Sequence, residues 1–181
     1  MKVSLFALSL GLAASLAGTS ALANTGTLNF EGKITSSTCP IQVVNPEDDT
    51  TGSQVKMGSI DAKRFTAPGQ EYSGKSFALR IPDRAGCALT GTEAKVKFNG
   101  AADATGKFFA VTPTADGAKN VVIVLKDRTG ASIDPGNDSA AYTLNATGRT
   151  DMVFNAYYRS TLATVEAGTA SADIHFVVDI N

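Results

Sequence analysis

The chain has 181 residues, with 16 Lys and Arg against 17 Asp and Glu, a formal net charge of −1, one histidine and no tryptophan. That balance offers no basic footprint for nucleic acid and no polybasic membrane patch. Few titratable side chains among many Thr, Ala, Gly and Val residues indicate an extracellular β protein rather than an enzyme.

Residues 1–23 read as an export signal. Lys2 supplies the positive start, residues 3–16 form an apolar run, and Ala21-Leu22-Ala23 gives the small-x-small cleavage pattern. The run is shorter than the roughly 20 apolar residues of a membrane span. Cleavage would leave residues 24–181, a size that suits one domain. Leu28, Phe30, Gly32 and Ile34 then fall on one face of a strand, with Asn29, Glu31 and Lys33 on the other. A short apolar run over residues 41–44 follows, then a polar loop over 45–53. Val55, Met57 and Ile60 suggest a further strand, and a short helical turn is expected near residues 61–65.

Phe77, Leu79 and Ile81 alternate up to Pro82, and Val96 and Phe98 mark a strand running into a turn at Asn99-Gly100. Another strand is expected over residues 108–112. The run 121–125 is apolar on both faces, as in a strand buried on both sides. Turns are predicted at Asp127-Arg128-Thr129-Gly130 and Asp134-Pro135-Gly136-Asn137. Tyr142 and Leu144 alternate, as do Met152, Phe154 and Ala156. The C-terminal strand carries Ile174, Phe176, Val178 and Ile180, separated by His175, Val177 and Asp179. Short strands at near-regular spacing predict a β-sandwich, with no repeat, linker or second domain.

Cys39 and Cys87 are the only cysteines, and an even pair in an exported chain reads as one disulfide. Two cysteines and a distant His175 are too few for a metal site, and no cofactor motif is present. His175 and Asp173 lack a nucleophile elbow, so His175 is expected to face solvent. Glu47-Asp48-Asp49 lacks the spacing of a calcium loop and reads as a solvated turn.

Both ends of the processed chain are thus alternating strands with one strongly apolar face. Gly26-Thr27-Leu28-Asn29-Phe30-Glu31-Gly32-Lys33-Ile34 before Cys39, Val55-Lys56-Met57-Gly58, and Phe77-Ala78-Leu79-Arg80-Ile81 before Cys87 resemble hallmarks of the chaperone–usher pilins. So do Asn120-Val121-Val122-Ile123, Phe154-Asn155-Ala156-Tyr157-Tyr158 and the alternating C-terminus. The chain is similar to the major subunit of type 1 fimbriae. The resemblance implies an all-β, incomplete immunoglobulin-like sandwich over residues 37–181, completed by a donor strand from a neighbouring subunit. It implies that residues 24–36 are that donor extension, with Leu28, Phe30 and Ile34 entering a groove and Gly32 fitting a shallow part of it. The implied partners are identical or related subunits, a periplasmic chaperone and an outer-membrane usher. Gly168, Ile174, Phe176, Val178 and Ile180 are implied as the groove edge and chaperone-contact strand. Ile180 departs from the aromatic residue, typically tyrosine, that the family usually has next to the end. A minor adaptor or terminating subunit and a carbohydrate-binding tip adhesin are the alternatives. The apolar extension favours an internal subunit, and no separate lectin domain is discernible.

Overall fold

The computed structural model describes residues 39–181. The expected export signal and the donor residues Leu28, Phe30, Gly32 and Ile34 lie outside the described residues. Within them the chain forms β1 (Gln42–Val44), a 3₁₀ turn (Ala62–Arg64), β2 (Glu71–Ile81), β3 (Glu93–Gly100) and β4 (Phe109–Ala110). There follow β5 (Val121–Lys126), β6 (Ser132–Ile133), β7 (Tyr142–Thr143), β8 (Thr150–Ser160) and β9 (Ile174–Ile180).

Two antiparallel sheets result. One has the order β1-β2-β8-β5-β4, with β6 also paired to β5; the other has three strands, β7-β3-β9. Sequence period dictates which side chains enter the space between them. Along β8, Thr150, Met152, Phe154, Ala156, Tyr158 and Ser160 are buried, while the residues between them are half-buried. Phe154 sits at the centre, stacked on Phe77 at 5.6 Å and edge-on to Phe98 at 5.0 Å. Strand β5 is buried on both faces, as its unbroken apolar run predicts. Val121, Ile123 and Leu125 join the core, and Val122 and Val124 are covered on the opposite face.

The predicted turns at 127–130 and 134–137 are present, with Gly130 and Gly136 at φ +82° and +83°, where a side chain would be strained. The helical turn is the predicted one, begun by the Asp61 carboxylate accepting the Lys63 N–H at 2.9 Å. Two expectations fail. Strand β3 runs through Asn99-Gly100, paired with His175 and Ile174. Its turn comes later, where the Asp103 carboxylate accepts the N–H groups of Lys107 and Phe108 at 3.1 and 3.0 Å. Residues 53–60 form no strand among the described residues, since no neighbour pairs with them and Gly58 turns the chain at φ +73°.

Candidate functional site

A sheet edge exposes unpaired N–H and C=O groups, so each edge needs a cover or a partner. On the larger sheet, β1 is covered where the chain doubles back. Thr51 bridges Val44, and the Gly52 N–H donates to the Val43 carbonyl at 3.0 Å. At the other side β4 is only two residues long and is backed by Ala101, whose carbonyl accepts from the Ala110 N–H at 2.8 Å. On the smaller sheet β7 is equally short. Strand β9 differs: it is seven residues long, and its second edge has no partner among the described residues.

The side chains of that edge are apolar. Ile174, Phe176, Val178 and Ile180 are half-buried against the core, whereas His175 and Asp179 on the alternate face are exposed. Val55, Met57 and Ile60 are likewise half-buried against the core. Among the described residues no backbone hydrogen bond reaches residues 53–60. The sandwich therefore has two apolar margins, β9 and residues 53–60, whose backbone is unpaired among the described residues. A cavity of about 510 Å³ lies where residues 58–60 meet the loop leading into β9. Its walls include Ile60, Val121, Tyr158, Val165 and Ala170. The Tyr158 hydroxyl donates to the Ala170 carbonyl at 2.8 Å, which holds this loop in place.

Gly168 lies in the same loop and not on β9. A Cβ there would stand 2.5 Å from the Ala118 nitrogen and the Asp116 oxygen, so glycine lets two main chains meet. Cys39 and Cys87 are bonded, with Cα atoms 5.0 Å apart. His175 stands opposite Asn99 on the exposed face of β3 and β9. Sequence reading missed the contributions of Tyr158, Val165 and Ala170. Tyr158 could have been found from its place in the alternation of β8, but a loop residue such as Val165 carries no periodic signal.

Charge is concentrated on the outer face of the larger sheet, away from these margins. Arg80, 8% exposed, donates to both oxygens of its cross-strand partner Asp151 at 2.6 and 2.7 Å, and to Asp49 at 2.6 Å. Arg80 holds the carboxyl of Asp151 below its ordinary range, and Arg80 and then Arg149 do the same for Asp49. Asp49 thus serves an ion pair rather than a cation loop. Burial pushes Glu71 up, but hydrogen bonds from Lys126 and Arg159 outweigh it and leave the carboxyl lowered. Burial also pushes the Tyr142 hydroxyl up to about 12, where it donates to the Val153 carbonyl at 2.6 Å. Every one of these groups has a structural partner: Arg80, Arg149, Asp49 and Asp151 form one network, and Glu71, Lys126 and Arg159 form another.

The family model described as "Fimbrial protein" matches residues 28–181. The chain belongs to the fimbrial protein family. This fimbrial subunit is 31% identical over 153 residues to a probable major fimbrial subunit of Escherichia coli O157:H7, covering 83% of this chain and 81% of that one. It is 32% identical over 182 residues to the fimbrial subunit type 1 of Klebsiella pneumoniae, covering 97% and 94%. Among solved structures, an antigen and type I fimbria protein of Burkholderia pseudomallei superposes with a TM-score of 0.56 at 31% identity. That match covers 78% of this chain and 88% of that one. The P pilus rod subunit PapA superposes with a TM-score of 0.57 at 16% identity, covering 79% and 99%, and so shares the fold. The subunit is a structural component of an extracellular fimbria with the immunoglobulin-like fold of pilus subunits.

Proposed function

We propose that β9 and residues 53–60 are the two lips of a groove, and that residues 24–36 of a neighbouring subunit fill it as an extended strand. The observation that carries this reading is the seven-residue edge of β9, unpaired among the described residues, whose apolar side chains pack against the core and are only half covered. An inserted strand satisfies both deficits at once. Its backbone pairs with the open edge, and Leu28, Phe30 and Ile34 could each contribute about 1.5–3 kcal/mol on burial, less the cost of ordering the segment. Gly32 suits a shallow part of such a groove. Residues 1–23 are the export signal, residues 24–36 the donor extension and residues 37–181 the pilin body.

Before polymerisation the same apolar margins need protection, which fits a periplasmic chaperone that occupies the groove and an outer-membrane usher where the exchange takes place. The role is mechanical assembly and involves no catalytic step. Deleting residues 24–36 tests it. The truncated subunit should still be captured by the chaperone and accept a donor, yet fail to extend a fibre, so no ladder of SDS-resistant oligomers forms. Fibres of normal length from the truncated subunit alone would rule the donor assignment out.

A further inference from the structure

Strand β9 pairs only with β3 among the described residues, so its register is set from one side. A slip by one residue would turn His175 and Asp179 toward the core, so the alternating pattern forbids it. A slip by two keeps the apolar face inward, and the pattern does not resist it. Two glycines, one just ahead of β3 and one at its last position, supply that resistance. At one end the Asn181 carbonyl accepts from the N–H groups of Thr92 and Glu93 at 2.7 and 3.0 Å, and its own N–H donates to Glu93 at 2.9 Å. A Cβ on Gly91 would stand 2.6 Å from that carbonyl oxygen and 2.7 Å from Ile180 Cγ2. At the other end a Cβ on Gly100 would stand 3.1 Å from the Asp173 carbonyl oxygen and 3.4 Å from Ile174 Cγ1. Neither glycine has a left-handed φ, so each is required for space and not for backbone conformation.

We propose that Gly91 and Gly100 bracket β9 and fix its alignment against β3, so that an incoming strand meets Ile174, Phe176, Val178 and Ile180 in one alignment only. A two-residue slip in either direction would carry these close approaches from Gly91 onto Leu89 or Glu93 and from Gly100 onto Phe98 or Ala102, each of which bears a Cβ. Both glycines are positioning residues that act through β9. The proposal rests on the groove reading above, because alignment matters only if a strand is received there.

The test uses the whole chain and its G91A, G100A and G52A variants; a Cβ on Gly52 meets nothing within 4 Å, which makes it the control. Two peptides are offered: residues 24–36, and one of the same composition with its apolar alternation displaced by two residues. The unaltered protein and G52A should retain the first peptide about tenfold longer than the displaced one, and G91A and G100A should lose most of that preference. A general loss of stability would weaken both peptides alike and leave the preference unchanged. Undiminished preference in G91A and G100A overturns the bracket; should G91A fail to fold, G100A decides. If the unaltered protein takes neither peptide, the groove reading fails, and amide exchange along residues 174–180 decides the bracket. Faster exchange in G100A than in G52A sustains it, and equal exchange overturns it.

Discussion

Asp151 and Arg80 face each other across β2 and β8, and their pairing is two-pronged. The depressed Asp151 carboxyl stabilises the fold at neutral pH, where it is ionised in both states but paired only in the native one. As pH falls below the ordinary aspartate value of 3.8, the unfolded chain takes up the proton first and that stabilisation is lost. Asp151→Asn keeps the shape and removes the charge, so it should cost about 1.5–3 kcal/mol at pH 7. The gap to the unaltered protein should shrink as the pH is lowered toward 2. Urea unfolding at the two pH values measures this, and an identical gap at both would exclude the pairing as its source. Nothing in the sequence points to this pair, because residues 71 positions apart meet only through strand order. Gly91, Gly100 and Gly168 are illegible for the same reason: each answers to a main chain brought close by the fold. Gly100 even misleads, since Asn-Gly has the composition of a turn but here ends a strand.

At the scale of elements, periodicity was a reliable guide wherever one face of a strand meets the core. The alternation along β8 and β9 and the two-sided run of β5 could all be read from residue type alone. Residues 53–60 show where that guide stops. Val55, Met57 and Ile60 have the apolar spacing of a strand, and they do pack against the core, but a strand also needs a neighbour. Spacing reports the face and is silent about the partner. The donor residues Leu28, Phe30, Gly32 and Ile34 lie outside the described residues, so their role stays a proposal. Strand β9 offers the direct test of the other side. Phe176 is half-buried and paired with the fully packed Phe98, and Phe176→Asp would set a charge on the proposed groove floor. This variant should bind the peptide of residues 24–36 at least tenfold more weakly, while His175→Asp on the exposed alternate face should bind it nearly normally. Equal binding by both variants would show that the peptide docks elsewhere.

At the largest scale the sheets are unequal, and the smaller one carries the edge that is open among the described residues. The core is continuous from the aromatic cluster around Phe154 to the margins at β9 and residues 53–60, so the proposed donor strand would complete edge and core in one event. If the proposed groove stands open before a strand fills it, the single covalent cross-link matters more to the lone subunit. The bond between Cys39 and Cys87 spans 48 residues and constrains the unfolded chain by about 4 kcal/mol in the loop-entropy account. Cys39→Ser should therefore lower the yield of folded subunit in an oxidising compartment and shift its urea midpoint downward. Unchanged yield and midpoint would show that the cross-link is dispensable.

The position of that cross-link has a mechanical consequence. Cys39 stands where the proposed donor extension joins the body, ahead of the three-residue β1, and Cys87 lies in the connection between β2 and β3. Tension arriving along the extension from the next copy would pass through sulfur into the middle of the chain, without first having to peel β1 from β2. The load is then shared by both sheets at once, and a pulled subunit should keep β1 on β2 for as long as the bond between Cys39 and Cys87 is intact.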